Sequence, residues 1–215
     1  MAHVLDRSYE TFSLAFDDGV VTLTFQRPDQ LNAMSLPMRK ELGDFFLECA
    51  TQTDIRCLII TGAGRAFSAG GDINDFRASA EDMHDLMGRI SHRWFKALWA
   101  LPQPVVAAVN GVAAGGGCNV VLASDIVVAS TKASFAQTFL KIGLVPDLGG
   151  AFSLPRQVGL HRAKELALLG DRIAAEEAYR IGLVNRLVQP EDLMDEARDI
   201  AARLAAAPRK AVTLT

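Results

Sequence analysis

The stretch that decides the fold is PVVAAVNGVAAGGGCN, Pro104 to Asn119, with the VVLASDIVVAS that follows it through Ser130. An apolar run of strand length gives way to three successive glycines, Gly115 to Gly117, and then to a second apolar run. Residues without a Cβ let one backbone close on another. A helix opening there would present N–H groups that have no intrahelical acceptor and carry partial positive charge. A second glycine loop, AFSAGGD from Ala66 to Asp72, follows the strand-like CLIITG of 57–62. Two such loops can aim two N–H donors at one developing oxyanion, as enolate or acyl-transfer chemistry requires.

The rest of the chain bounds the class. Its 215 residues suit one well-buried domain, and half of them are apolar. The net charge is −3, with no block of like charges, so no nucleic-acid partner is expected. No apolar run reaches the roughly 18 residues of a membrane span, and MAHVLDRSYE is not a signal peptide, so a cytoplasmic protein is expected. Cys49, Cys57 and Cys118 are widely spaced in apolar surroundings and read as reduced and structural. No paired ligands at short spacing suggest a metal site.

Residues 12–16 and 20–25 read as a hairpin around Asp18-Gly19. Ser35 caps a helix through about Ala50. Strands are expected at 56–61, 104–109, 126–129 and 183–188. Helices are expected at 80–100, from the triple glycine to Ala123, and at 150–158, 160–169, 174–181 and 190–206. Residues 62–75 read as one loop. Strands alternating with helices give an α/β class, and no repeat is visible in the sequence itself.

TGAGRAF opens like a dinucleotide fingerprint, but Phe67 stands where its third glycine belongs, and no P-loop is present. AFSAG lacks the first glycine of a nucleophile elbow, so Ser68 reads as a small loop residue. His3, His84, His92 and His161 are scattered and read as surface or packing residues. Asp147, between Pro146 and Leu148-Gly149-Gly150, reads equally as a helix cap or a catalytic acid. Asn119 alone reads as a first-turn helix residue meeting backbone, and Phe139 as core or pocket lining.

Taken together and in order, RPDQLNAM (27–34), LIITGAGRAFSAGGDI (58–73), PVVAAVNGVAAGGGCN (104–119), SDIVVAS (124–130), GLVPDLGGAFSLPRQVG (143–159) and LALLGDRIAAEEAYRIGLVNRLV (166–188) resemble the crotonase superfamily, the enoyl-CoA hydratase/isomerase group. The resemblance implies a ClpP/crotonase-like spiral of repeated β-β-α units with peripheral helices. It implies a core domain over 1–190, with 191–215 the start of a C-terminal helical region. It also implies a homotrimer or dimer of trimers, and a CoA thioester substrate with no separate cofactor. The oxyanion donors of the family fall on Gly71 and Gly116. Ala33, Arg65, Ala66, Ala69, Gly70, Asp72, Ile73 and Phe139 would contact the CoA thioester.

The hydratases of that family position water with two glutamates, and those places here hold Asn119 and Phe139. Asparagine does not titrate near neutral pH and phenylalanine cannot activate water. Asp147 remains, where several isomerases of the family carry a single acid. Asn119, Asp147 and LVPDLGGAFSLPR look most like the ring-1,2-epoxyphenylacetyl-CoA isomerase branch. The expected activity is therefore acyl-CoA isomerisation: Gly71 and Gly116 hold the enolate, Asp147 shuttles the proton, and Asn119 orients substrate or Asp147. The alternatives are hydration with a substitute acid (Asp75, Glu81 or Asp82), dehalogenation with Asp147 as nucleophile, and acyl-CoA binding with weak catalysis. A Clp-type peptidase is set aside because Gly115-Gly116-Gly117 offers no nucleophile. Met83, Met87, Ile90, Trp94 and Phe95 are spaced like one helix face and read as core before acyl pocket.

Overall fold

The computed structural model describes residues 3–75 and 86–215. The expectations for Glu81, Asp82, Met83 and His84 lie outside the described residues, as does the side chain of Met87.

The hairpin forms as read: β1 (Phe12–Asp17) and β2 (Val20–Phe25) pair antiparallel, Phe12 opposite Phe25. Asp18 and Gly19 both take left-handed backbone, φ 42° and 81°, which matches the twist of the two strands. From β2 onward the large sheet is parallel. β3 (Cys57–Gly62), β5 (Val105–Val109), β7 (Ile126–Ser130) and β10 (Arg186–Val188) follow in the order β1-β2-β3-β5-β7-β10.

A second sheet interrupts what reads as loop in the sequence. β4 (Ala66–Ser68), β6 (Val112–Ala114), β8 (Ser134–Ala136) and β9 (Ile173–Ala174) pair in that order. Gly111 permits the bend between β5 and β6, because a Cβ there would lie 2.1 Å from the Arg65 carbonyl oxygen. Each circuit of the chain therefore runs through a strand of the large sheet, a strand of the small sheet and a helical return. β2 leads through a bridge at Met34 to α1 (Leu36–Cys49). β3 and β4 are followed by a π-helical stretch, Leu86–Ser91, and α2 (His92–Trp99). β5 and β6 return through α3 (Gly116–Ala123), and β7 and β8 through α4 (Gly150–Val158) and α5 (Leu160–Leu169). The repeated β-β-α spiral is thus a repeat of architecture that the residues do not spell out.

Alternation along the parallel strands divides the interior in two. Leu58, Ile60, Ala107 and Val109 face the main core, which also holds Phe45, Phe67 and Trp94. Cys57, Ile59, Val106 and Ala108 face the other way, against Leu193, Ala197 and Ile200 of α7 (Leu193–Ala206). This helix, preceded by α6 (Ala175–Arg180), completes the second core. A short α8 (Arg209–Leu214) follows it. Ser35 caps α1, its Oγ accepting from the Met38 N–H at 3.4 Å. Trp94 and Phe95 are core residues, edge-to-face at 5.5 Å, as their spacing suggests. All three cysteines are buried and free, and burial pushes each thiol up to about 12. Among the described residues, no helix is long and apolar enough to cross a membrane.

Candidate active site

The two glycine loops meet backbone to backbone. Gly115 (φ 50°) turns the chain out of β6, its N–H donating to the Ala136 carbonyl at 2.9 Å, and α3 starts at the next residue. A Cβ on Gly117 would lie 2.2 Å from the Ser68 carbonyl oxygen, and one on Gly70 (φ 93°) 2.9 Å from the Gly116 nitrogen. No side chain fits between the loops, which is the physical reason for the glycines.

Met34 pins the first loop. Its N–H donates to the Gly70 carbonyl at 2.7 Å and its carbonyl accepts from the Asp72 N–H at 3.3 Å. In this parallel bridge the intervening Gly71 N–H faces away from Met34. The Gly116 N–H belongs to the first turn of α3, where no intrahelical acceptor is available. Neither N–H has a hydrogen-bond acceptor among the described residues. Gly71 and Gly116 share a cavity of about 150 Å³ with Asp147, Phe139, Met34 and Leu148.

Asp147 does not cap α4. The cap position belongs to Gly149, and no side chain bonds the first turn. Leu148 (φ 42°) and Gly149 (φ 70°) are successive left-handed residues that end the loop and start the helix. The Asp147 carboxyl is left at the cavity with its Oδ1 buried and without a hydrogen-bond partner. Burial raises its pKa above the ordinary carboxyl value, and the positive charges of Arg39 and His92 restrain the rise. The open choice between cap and functional acid is thereby decided against the cap.

Asn119 is fully buried and does not line the cavity. Its Nδ2 donates to the Asp147 backbone carbonyl at 2.8 Å, and its Oδ1 accepts from Gln137 Nε2 at 2.9 Å. Its place is behind Asp147, so the orientation of Asp147 is the part of its expected role that the geometry carries.

The expected CoA-path residues separate. Ala69, Ile73 and Phe139 line the cavity with the two glycines. Asp72 does not: its carboxylate is 3.1 Å from Arg27 Nη1 and Nη2 and accepts from the Asn74 N–H. Arg27 Nη1 also bonds the Ala33 carbonyl, so Ala33 and Asp72 belong to one clasp that fixes the first loop. Ala66 is inside β4 at 1% exposure, and its carbonyl accepts from Asn32 Nδ2. Arg65 is exposed on the turn before β4 and is absent from the cavity wall. Gly70 acts through its close approach to Gly116.

Asp75 is likewise committed, its Oδ2 accepting from the Leu36 N–H at the start of α1. Sequence reasoning missed Arg39 and Ser91, which both line the cavity. The available signal was position: Arg39 lies three and seven residues before Leu42 and Phe46, on the buried stripe of α1.

Residues 15–215 match the family described as enoyl-CoA hydratase/isomerase. The chain is 42% identical over 196 residues to a 1,2-epoxyphenylacetyl-CoA isomerase of Escherichia coli, covering 89% of this chain and 75% of that one. It is 37% identical over 210 residues to a crotonyl-CoA hydratase of Syntrophomonas wolfei, covering 97% and 80%. Among solved structures, an enoyl-CoA hydratase from Bacillus anthracis superposes with a TM-score of 0.91 at 35% identity, over 95% of this chain and 80% of that one. The paired glycine loops, the spiral that positions them and these relatives agree that the chain belongs to the enoyl-CoA hydratase/isomerase family of the crotonase superfamily.

Proposed function

We propose that the protein is an acyl-CoA isomerase that moves a double bond through a thioester enolate, with Asp147 as the one acid/base. The observation that carries this reading is the half-buried Asp147 carboxyl, whose buried Oδ1 has no hydrogen-bond partner, in the cavity that also holds the Gly71 and Gly116 N–H groups. The two N–H groups receive the thioester oxygen and stabilise negative charge as it develops there. The Asp147 carboxylate takes the C2 proton of a 3-enoyl thioester, electrons move into the carbonyl, and the resulting dienolate takes the same proton back at C4. The product is the 2-enoyl thioester, and the carboxylate is regenerated. A carboxyl raised above its ordinary value is a stronger base than an exposed one, which suits proton abstraction from carbon.

Phe139 favours isomerisation over hydration. It is buried at 6% exposure on the cavity wall and supplies no group to hold or ionise water. Asn119, at the other expected hydratase position, is turned to the Asp147 main chain. Hydration with a substitute acid loses Asp75, whose carboxylate is occupied at α1. We extend the reading to a cytoplasmic homotrimer or dimer of trimers that takes no separate cofactor. Sedimentation of the purified protein checks the assembly.

Purified wild-type protein given a 3-enoyl-CoA and crotonyl-CoA in separate reactions tests the activity. Conversion of the first to its 2-enoyl isomer, with hydration of the second slower by about two orders of magnitude or more, is expected. Hydration faster than isomerisation would overturn the reading.

A further inference from the structure

Arg39 has no part in the chemistry described so far, yet it stands in the cavity wall at 4% exposure. A full positive charge is costly in apolar surroundings unless acceptors and a counter-charge meet it. Two acceptors fix its position: Arg39 Nε donates to the Met34 carbonyl at 2.9 Å, and Nη1 to Ser91 Oγ at 2.9 Å. Met34 is the residue that pins the first glycine loop, so the anchor of Arg39 and the placement of Gly71 share one residue.

Among the described residues, the charged groups around this part of the cavity come from five places. Arg39 is on α1, His92 starts α2, and Lys141 lies in the 139–142 turn. Asp72 and Asp75 belong to the first glycine loop and Asp147 to the segment before α4. Asp72 is met by Arg27 and Asn74; Asp75 accepts from the Leu36 N–H and also acts on Arg39, ahead of Asp147. Asp147 is the carboxylate left with an unmatched buried oxygen.

We propose that Arg39 is a positioning residue for Asp147: its anchored guanidinium supplies the counter-charge that keeps this carboxyl ionised, and so able to accept a proton, in the cavity that both residues line. The proposal rests on the reading of Asp147 as the acid/base and adds what opposes the protonation of that base. Burial drives the carboxyl toward its protonated form, and Arg39 opposes it before His92 does. Arg39 itself exchanges no proton in the cycle.

The test is the titration of Asp147, read by carbon NMR of protein labelled at the aspartate carboxyl carbons, with Asp147→Asn assigning the signal. Arg39→Gln removes the charge and keeps an amide at the place of the Nε that bonds Met34, while Arg39→Lys keeps the charge. The midpoint is expected to rise by at least about one pH unit in Arg39→Gln and to stay near the wild-type value in Arg39→Lys. Below both midpoints the activity of Arg39→Gln then falls about tenfold, while the plateau at high pH is kept. Equal midpoints in wild type and Arg39→Gln, or an equal rise in both variants, would overturn the proposal. Should Arg39→Gln fail to fold, the wild-type protein gives the answer alone. The Arg39 Nε–H resonance must then move with the Asp147 midpoint and stay still in Asp147→Asn, and a resonance indifferent to Asp147 would overturn the proposal. The titration needs no turnover, so loss of the isomerase reading with the shift intact, and loss of the shift with isomerase activity intact, are separate results.

Discussion

The Asn119 Nδ2 group donates to the backbone carbonyl of Asp147 at 2.8 Å, tying the first turn of α3 to the segment that presents the candidate base. The same helix supplies the Gly116 N–H. The first turn of one short helix therefore holds both the candidate oxyanion donor and the link to the candidate base. Asn119→Ala leaves the Asp147 carbonyl and Gln137 Nε2 buried without partners. We expect a loss of about 1–3 kcal/mol in urea denaturation, and a fall in kcat larger than any rise in KM. Unchanged stability would place no weight on this link.

Gly116 and Gly117 are adjacent but not equivalent. A Cβ on Gly117 would lie 2.2 Å from the Ser68 backbone oxygen, which β4 holds by its pairing with β6. A Cβ on Gly116 meets first the Met34 Cε at 2.9 Å, the far end of a flexible chain. Gly117→Ala is expected to cost at least about 3 kcal/mol or to prevent folding. Gly116→Ala should fold, with its effect confined to the cavity. Thermal melts of the two variants check the contrast.

The Asp72 clasp carries a pH signature. Burial works against its carboxylate, but the Asn74 N–H and Arg27 outweigh it, and its pKa lies below the ordinary value. A lowered carboxyl stabilises the fold above its unfolded pKa, and that contribution is lost as pH falls through the folded one. Asp72→Asn should therefore cost about 1–3 kcal/mol at pH 7, with the difference from wild type closing in acid. Denaturation midpoints at several pH values provide the check.

Asp147 should show the opposite sign. Burial raises its pKa, so the folded protein keeps a proton that the unfolded chain has already released. Between those two values stability falls as pH rises. Asp147→Asn removes this slope and should be at least as stable as wild type near neutral pH, as judged by melting temperature across about pH 4 to 7.

Much of this arrangement is legible in the residues, and the parts that are not have a common cause. α4 and α5 occupy the residues their periodicity marks, and Gly71, Gly116 and Asp147 share one cavity as the glycine loops and the resemblance imply. β4, β6 and β8 are not legible, because three residues such as AFS, VAA or SFA are too short to show a period. Their strand character comes from pairing with one another across distant circuits of the chain. Asp72 and Ala33 resemble ligand contacts in the sequence because their partner, Arg27, lies 45 positions before Asp72. Arg39 reads as an ordinary charged helix residue until the fold closes the cavity over it.

The central claim is that one carboxylate carries the proton, and the most direct measurement is isomerisation of a 3-enoyl-CoA by wild type and Asp147→Asn side by side, with circular dichroism confirming that both are folded. The account predicts that the variant loses at least about 100-fold in kcat while its thioester affinity is retained. Isomerisation by folded Asp147→Asn at the wild-type rate would contradict it.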